Sequence, residues 1–278
     1  MMTLPGIEAL KKKYPSKKIY YALPKQYHSV VENNPHIDKV LDVKIPLQNN
    51  KFSVVMDISS PCAQYESNKV RTGKKVDLGR IEIFAEALGT RNLLEEIKPS
   101  YYPDKKDIEW AKNFLPKRKK PRLAVIPRAA EEYRNWPLKK MEQLVSILKD
   151  DFECIIIDPI REFLWPGIID ACGFPFPKAA AILLECDMVL TPDTAMLHLA
   201  ASKNIPTLAL FGPIDGHTRC KDYPNTTVLI SNFNCIPCWR NSNIPCKISN
   251  TVAGESECMK AISIEAVHKA LMKIKGNL

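Results

Sequence analysis

The chain has 278 residues, 45% of them hydrophobic and 26% charged, which suffices for one large or two ordinary globular domains. No apolar run reaches the about 18 residues that span a bilayer, because Glu185 and Asp187 interrupt the longest candidate. The N-terminal residues lack the pattern of a secretory signal, so a cytoplasmic location is expected. The net charge of +9 is spread over short lysine and arginine clusters. These clusters are typical of solvated surface, and they also suit an anionic membrane face.

Strand-length apolar runs alternate with helical patterns along the chain. In chain order the predicted strands are residues 18–23, 39–43, 52–58, 123–126, 154–158, 188–191, 207–211 and 227–230. Ile7, Leu10 and Tyr14 share one helical face, and the last helix, residues 263–275, begins at a capping Ser263. Such alternation predicts an α/β protein with parallel sheets covered on both faces.

Two prolines, Pro116 and Pro121, bracket a basic segment that breaks this pattern. We therefore predict a linker there, between an N-terminal domain of residues 1–116 and a C-terminal domain of residues 121–278. The last helix, 263–275, is expected to pack back on the N-terminal domain. Two Rossmann-like domains joined in this way are expected to enclose a ligand cleft at the carboxyl ends of their strands.

The stretch after the strand 188–191 carries the most chemical information. Thr191-Pro192 is typical of a helix start, which would direct free N–H groups from the sheet edge at a pyrophosphate. Asp193 would repel a phosphate, so we expect it to accept hydrogen bonds from sugar or ribose hydroxyls, or to cap the helix. Thr194 and His198 share a helix face. Taken singly, Asp193 also fits an ordinary helix-start acid and His198 a buried, satisfied histidine.

This stretch continues into a second strand and turn, and its matched residues are Asp193, Thr194, His198, Leu199, Ala200, Ala201, Pro206, Ala209, Leu210, Phe211, Gly212 and Pro213. They resemble the donor-site signature of glycosyltransferase family 9, the lipopolysaccharide heptosyltransferases, which reads D-T-G-x-x-H-L-A-A and then P-x-x-A-L-F-G-P. The resemblance implies a GT-B type fold, with two Rossmann-like domains facing an interdomain cleft. The N-terminal domain would bind the acceptor and the C-terminal domain the nucleotide sugar.

Further segments resemble the same family. Pro127, and Arg134 followed by Asn-Trp-Pro, match the segment whose cation reaches the donor phosphates, so Arg134 is the candidate; a solvated surface arginine is the alternative. Glu162 lies where the family has a ribose contact. Two departures also concern donor binding. Ala195 replaces a family glycine, adding a methyl group, and Arg128 replaces the glycine after Pro127, where it would bind an extra phosphate or crowd the loop.

The N-terminal segment, residues 3–15, resembles the family's first helix, T-x-P-A-I-R-A-L-K-x-x-Y-P. In the family a strand and a Gly-Asp-Val turn precede this helix, and that aspartate is the expected general base. The chain begins at Met1, so the catalytic residue is unassigned and the strands near residues 19–23 and 54–58 are expected to flank a gap. Two explanations stand: a start at an internal methionine of a longer protein, or a non-catalytic relative that has lost the base.

The chain has nine cysteines, four of which cluster at Cys235, Cys238, Cys246 and Cys258. Their number and the opening C-x-x-C fit a structural zinc site, but the second pair lacks the tight spacing of a zinc knuckle. Free thiols and disulfides are the alternatives. None of the three makes the cluster catalytic.

Three functions are compatible with the sequence. The first is inverting transfer of a heptose-like sugar from a nucleotide diphosphate donor such as ADP-heptose to a lipopolysaccharide-type or other glycan acceptor, with no cofactor required for catalysis. The second is nucleotide-sugar binding without turnover. The third, a zinc-containing nucleic-acid-binding protein, rests only on charge and cysteines, and no nucleic-acid-binding motif supports it.

Overall fold

A computed structural model describes residues 1–44, 51–240 and 243–278. The chain forms two compact units, Met1–Asp104 and Lys105–Leu278, which are called unit 1 and unit 2 below. No helix among these residues combines the length and the apolar character that crossing a membrane requires.

Unit 1 contains helices and a parallel strand pair. The helices are α1 (Leu4–Lys13), α2 (Pro61–Arg71) and α3 (Arg80–Ala87), with 3-10 turns at Lys25–Val30 and Arg91–Leu93. The strands β1 (Tyr20–Leu23) and β2 (Lys39–Asp42) pair with Tyr20 opposite Lys39. The first helix forms as predicted, with a proline in its first turn and three lysines in its last turn, which complement the helix dipole.

The core of unit 1 lies beneath α1. Leu4 and Ile7 are buried with Val31 and Leu88, and apolar residues of both strands pack against them. Tyr14, predicted to share the buried face, is instead the C-cap of α1 and is 45% exposed. The helix ends before Tyr14, so the side chain of Tyr14 does not lie on the buried face of α1.

The predicted strand at residues 52–58 is wrong. No strand is assigned there, and Val54, Val55 and Met56 are 70%, 55% and 45% exposed. β-branched residues favour extended backbone, but a strand also needs a neighbouring strand to take its hydrogen bonds. Within the described part of unit 1, the sheet pairs only β1 with β2.

Unit 2 is built on a six-stranded parallel sheet with the order β5-β4-β3-β6-β7-β8. The strands are β3 (Arg122–Val125), β4 (Glu153–Ile156), β5 (Ile169–Asp170), β6 (Met188–Pro192), β7 (Thr207–Phe211) and β8 (Thr226–Ile230). The helices are α4 (Lys105–Phe114), α5 (Leu138–Leu148), α6 (Phe176–Leu184), α7 (Ala195–Ser202), α8 (Gly216–Arg219), α9 (Glu257–Lys260) and α10 (Ile264–Lys275). The predicted α/β class with parallel sheets is confirmed.

The strand order of unit 2 reverses between β3 and β6, which are neighbours in the sheet. This is the order of a doubly wound Rossmann fold, in which ligands bind outside the carboxyl ends of the strands at the reversal. Both strands are fully buried, and each contains a run of three apolar residues, Leu123–Val125 and Met188–Leu190, as parallel strands covered on both faces do. A ligand site is therefore expected at the loops after Val125 and Pro192.

The boundary between the units lies before α4, not in the predicted linker. α4 packs in unit 2, where Trp110 contacts Phe174 at a ring centroid distance of 4.9 Å. The proline-bracketed segment is also tied to unit 2, since Arg122 Nη2 donates to the carbonyl of Pro116 at 2.6 Å. Its composition resembles that of a linker, but its backbone groups are bound by the sheet that follows.

The last helix, α10, begins as predicted. Ser263 is its N-cap and accepts a hydrogen bond from the N–H of Ala266 at 3.1 Å. Val267 and Leu271 are buried in the core of unit 2 together with Met141 and Leu144 of α5. Packing on α5 therefore accounts for the apolar stripe of this helix.

Candidate functional site

The loop between β6 and α7 positions the candidate site. β6 extends to Pro192, which lies opposite Leu210 of β7, and α7 begins at Ala195 with Thr194 as N-cap. The predicted helix start at Thr191-Pro192 is thus wrong, because these residues continue the strand. Instead, the Thr191 hydroxyl bonds the carbonyl of Pro192 and the hydroxyl of Thr194, both at 2.9 Å.

α7 directs its first N–H groups away from the carboxyl edge of the sheet. The Thr194 side chain makes no capping hydrogen bond, so it does not occupy these donors. The N-terminus of a helix carries partial positive charge, which attracts an anion. Ala195 is exposed, and its methyl group is directed to the surface rather than into the packed interior.

Asp193 is buried at the centre of a charged cluster. Arg134 Nη1 donates to its backbone carbonyl at 3.1 Å and lies 3.6 Å from Oδ2. Arg219 Nε lies 3.8 Å from the same Oδ2, and His198 Nε2 lies 3.9 Å from Oδ1. These ion-pair distances exceed those of direct hydrogen bonds. The structure thus brings Asp193, Thr194, His198 and Arg134 together, as the sequence predicts.

Arg219 is a member of this cluster that sequence reasoning missed. It is the last residue of α8, a short helix capped by Asp215, whose carboxylate accepts the N–H groups of His217 and Thr218. The side chain of Arg219 is 3% exposed, so its charge is buried beside the carboxylate of Asp193. The only sequence signal was an aspartate cap shortly after the Gly-Pro turn.

Tyr223 was missed as well. Its hydroxyl lies 2.9 Å from Nδ1 of His198, and the two rings meet edge to face with centroids 5.8 Å apart. Tyr223 is 4% exposed, and burial raises the pKa of its phenol above the ordinary value. The phenol therefore stays neutral and can either donate or accept a hydrogen bond.

Two cationic side chains surround the carboxylate of Asp193. Two guanidinium groups, of Arg134 and Arg219, face the single carboxylate of Asp193. Arg134 Nε is buried, and within the described residues it makes no hydrogen bond. A small concavity lies beside Arg134 and Asp193, lined by the turn from Leu210 to Ile214. A guanidinium donor without a partner in the described residues favours an anionic group as the ligand class.

Arg128 and Glu162, both predicted donor contacts, form a second group. The Arg128 guanidinium makes two bonds to Asp158, Nε–Oδ2 at 3.0 Å and Nη2–Oδ1 at 2.5 Å, and a third to Glu162. It also lies over the ring of Phe163 at 5.0 Å. The hydrogen bond with Asp158 is the main cause of a raised pKa of Arg128. Arg128 is thus held by two carboxylates.

An open groove of about 560 Å³ borders this second group. It is lined by Leu138, Lys139, Glu142, Glu162, Phe163 and Trp165. The Glu162 side chain is 50% exposed, so it remains accessible while it pairs with Arg128.

The cysteine cluster is not arranged as a metal site among the described residues, and zinc binding, one of the three alternatives, stays a prediction. All nine cysteines are free, and no group of metal-ligating side chains in the described residues is placed to hold a metal ion. The thiols differ in their surroundings. Burial raises the pKa of Cys258 to about 12. Burial acts in the same direction on Cys246, but N–H groups of Ser249, Glu257 and Ile248 outweigh it and lower its pKa to about 7.

The cysteine loop nevertheless supports the site. A side-chain carbon added to Gly212 would lie 2.8 Å from Cys258 Sγ and from atoms of Met259. Arg240, which is 2% exposed, bonds Ser256 Oγ at 3.0 Å and lies over the ring of Tyr133, next to Arg134. The loop thus packs against the turn that lines the concavity and against the segment that carries Arg134.

Residues 172–248 match the family model described as glycosyltransferase family 9 (heptosyltransferase). The predicted resemblance to this family is confirmed. The matched segment includes Asp193, Thr194, His198, Arg219 and Tyr223, and so contains most of the charged cluster. A search of curated protein sequences gives no match.

Solved structures of heptosyltransferases share the fold at low identity. The ADP-heptose lipopolysaccharide heptosyltransferase II of E. coli is 12% identical, with a TM-score of 0.67 over 98% of this chain and 94% of that one. A family 9 glycosyl transferase from Veillonella parvula is 15% identical, with a TM-score of 0.68 over 100% and 93%. The iron-containing heptosyltransferase TibC, solved with ADP-D-β-D-heptose, is 12% identical, with a TM-score of 0.67 over 99% and 72%. The predicted GT-B fold class is confirmed.

Proposed function

We propose that this protein transfers a heptose-like sugar from an ADP-linked donor to a lipopolysaccharide-type glycan acceptor, with inversion at the anomeric carbon. The observation that carries the proposal is the charged cluster around Asp193, at the open N-terminus of α7 and at the reversal of the strand order. The family match over residues 172–248 and the shared heptosyltransferase fold support the same reaction class.

Each residue of the cluster has a role in this proposal. Arg134 and the first N–H groups of α7, at Ala195 and after, bind the diphosphate, because both carry positive charge and hydrogen-bond donors, and Arg134 Nε makes no hydrogen bond within the described residues. Asp193 accepts hydrogen bonds from hydroxyl groups of the sugar or the ribose, since its charge disfavours direct phosphate contact. Thr194 and His198 lie beside it as polar contacts. Glu162, accessible on the open groove, binds a ribose hydroxyl.

The transfer itself is a single displacement. The acceptor oxygen forms a bond to the anomeric carbon while the bond from that carbon to the diphosphate oxygen breaks, and the acceptor proton passes to a general base. Electrostatic stabilisation of the leaving diphosphate is the contribution that the cluster supplies, and it needs no divalent metal ion. No residue of this chain is assigned as the base, so the proposal concerns the donor side of the reaction.

Unit 2, which contains this cluster, is the proposed donor-binding domain, and unit 1 the proposed acceptor-binding domain. We also propose a cytoplasmic location with peripheral contact to an anionic membrane, supported by the net charge of +9. Association with vesicles that contain anionic lipid, and its loss at high salt, would test that contact.

Calorimetric titration of the full chain with ADP-heptose tests the donor site. We expect binding, and we expect Arg134→Ala to weaken it by about 10- to 100-fold, the loss of charged hydrogen bonds. Arg71→Ala is the matched control, because Arg71 is exposed on α2 and its guanidinium donates to the side chain of Asn68 on the same helix. Release of ADP in the presence of a lipid A-type acceptor tests turnover. Wild-type protein that binds neither ADP nor ADP-heptose contradicts the proposal, and binding without turnover indicates a binding protein.

A further inference from the structure

Arg240 connects two parts of the concavity that the proposed function assigns to the donor. That concavity is lined by the turn of residues 210–214 and by Arg134. The N–H of Trp239 donates to a carbonyl of this turn at 2.8 Å. The next residue, Arg240, places its guanidinium over the ring of Tyr133 at 5.6 Å, and Tyr133 directly precedes Arg134. Arg240 thus links the turn to the segment that carries Arg134.

The guanidinium of Arg240 is itself fixed by the loop that follows it. The residue is 2% exposed, and its donors bond oxygen atoms of residues 244–256. Nε donates to the carbonyl of Ile244 at 2.8 Å, Nη1 to Ser256 Oγ at 3.0 Å, and Nη2 to the carbonyls of Thr251, at 3.1 Å, and Val252. A planar guanidinium with bonds in several directions has one position and one orientation. It therefore offers Tyr133 a rigid surface.

Tyr133 passes this order to Arg134. The guanidinium of Arg134 lies over the same ring at 5.7 Å, and its Nη1 donates to the carbonyl of Asp193 at 3.1 Å. A second contact joins the segment to the loop, since the N–H of Gly254 donates to Glu132 Oε2 at 3.1 Å. An arginine side chain has many rotamers, and packing on an aromatic ring reduces their number before a ligand binds.

We propose that Arg240 is a positioning residue, which holds the ring of Tyr133 and so keeps the guanidinium of Arg134 at the concavity. Arg240 does not touch the donor in this arrangement, and its effect on a ligand passes through Arg134. The proposal deepens the proposed function, and only its consequence for donor binding rests on that function. The order of the segment 131–135 is a property of the free protein.

Amide hydrogen exchange of the full chain tests this order without a ligand. The N–H groups of Arg134 and Asn135 bond the carbonyls of Glu131 and Glu132 at 3.0 and 2.8 Å, so their exchange reports how firmly the segment is held. We expect exchange there to be about 10-fold faster in Arg240→Met, which lacks the guanidinium, than in wild type. The same acceleration in the amides of α5 would indicate general loosening of unit 2, and it overturns the proposal.

Tyr133→Leu provides a second variant, because it removes the ring and leaves the bonds of Arg240 to its loop in place. We expect the same acceleration in residues 131–135, and this variant decides the test if Arg240→Met does not fold. Lys247→Met and Tyr27→Leu are the matched controls, since both residues are exposed, one on the same loop and one in unit 1. Unchanged exchange in either folded test variant overturns the proposal.

A double-mutant cycle tests whether Arg240 acts through Arg134. Calorimetric titration with ADP should show about 3- to 10-fold weaker binding to Arg240→Met than to wild type. In the background of Arg134→Ala, the further change Arg240→Met should alter the affinity less than about 2-fold, because the group that it positions is already absent. Equal effects in the two backgrounds would show that Arg240 acts by another route and overturn the proposal.

The two experiments separate this proposal from the proposed function. If exchange accelerates as expected and wild-type protein binds neither ADP nor ADP-heptose, the proposed function fails and Arg240 still orders the segment. If wild-type protein binds ADP and exchange is unchanged in the variants, the donor site stands and Arg240 has no positioning role.

Discussion

Two groups of charges follow neighbouring strands of the sheet in unit 2, and they differ in how tightly they are closed. Arg128 bonds the two oxygens of Asp158 at 3.0 and 2.5 Å, so its guanidinium is occupied by protein. Arg134 Nη1 lies 3.6 Å from the Asp193 carboxylate, and Arg134 Nε makes no hydrogen bond within the described residues. A closed pair stabilises the fold, whereas a looser cluster retains donors for a ligand. An arginine near a sheet edge therefore indicates a binding site only when its hydrogen-bond donors remain available.

Arg128→Met should break the closed pair and have the largest effect on stability. The carboxylate of Asp158 is 1% exposed, and removal of its cation leaves a buried charge, so we expect a loss of about 3 kcal/mol in the free energy of unfolding. Urea unfolding measures it. Arg161→Met is the matched control, because the Arg161 side chain is 61% exposed and its pair with Asp170 should contribute less than about 1 kcal/mol. Equal losses in both variants would remove the distinction.

Arg134→Ala should show the opposite pattern. The same urea experiment should find its free energy of unfolding within about 1 kcal/mol of wild type, because it breaks only longer contacts and one bond to a carbonyl. Its effect should appear in the affinity for ADP-heptose, where Arg128→Met should stay within about 3-fold of wild type. If Arg128→Met loses affinity for ADP-heptose and Arg134→Ala does not, the group around Arg128 is the binding site and the group around Arg134 is not.

Gly212→Ala tests how closely the cysteine loop packs on the looser cluster. The added methyl group would lie 2.8 Å from atoms of Cys258 and Met259, so these side chains must shift, at a cost of about 1–3 kcal/mol. Gly276→Ala provides the comparison, because its methyl group would find its nearest atom at 3.6 Å. Thermal unfolding of both variants measures the difference in stability. An unchanged stability of Gly212→Ala would show that the side chains of Cys258 and Met259 move aside at little cost.

The smallest expected effect concerns alkaline pH. Burial raises the pKa of Tyr223 in the folded state, while the unfolded phenol ionises near the ordinary pKa of about 10. Stability from this group is therefore complete below that pH and is lost as pH rises toward the folded pKa, by at most about 1.4 kcal/mol per pH unit. Urea unfolding should be measured about one pH unit either side of the ordinary tyrosine pKa of about 10. Over this range the free energy of unfolding should decline less steeply for Tyr223→Phe than for wild type. Parallel declines would show that Tyr223 does not titrate on unfolding in this range.

Much of unit 2 follows from local sequence. Its buried strands are continuous apolar runs, and Ser263 marks the start of α10, since both signals lie in the residues that form the element. The loop between β6 and α7 is recognisable in the sequence because Asp193, Thr194 and His198 are close together in the chain. The exact start of α7 was not, because pairing with β7 extended the strand through Pro192.

Partners distant in sequence could not be predicted. Arg219 looks like a surface cation at the end of a short helix, and Tyr223 like a core aromatic, until the fold places them against Asp193 and His198. Arg128 carries the same charge as Arg134, and only the positions of Asp158 and Glu162 distinguish their roles. The strand expected at residues 52–58 failed for a similar reason, since pairing depends on a neighbour that local composition does not reveal.

The exposed run at Val54, Val55 and Met56 has a consequence for handling the protein. β-prone apolar backbone that pairs with no strand among the described residues is a template for contacts between copies, and such contacts grow with concentration. Turbidity in concentrated stocks would then begin in unit 1, far in sequence from Asp193, and a lysine introduced at Val55 would act against it.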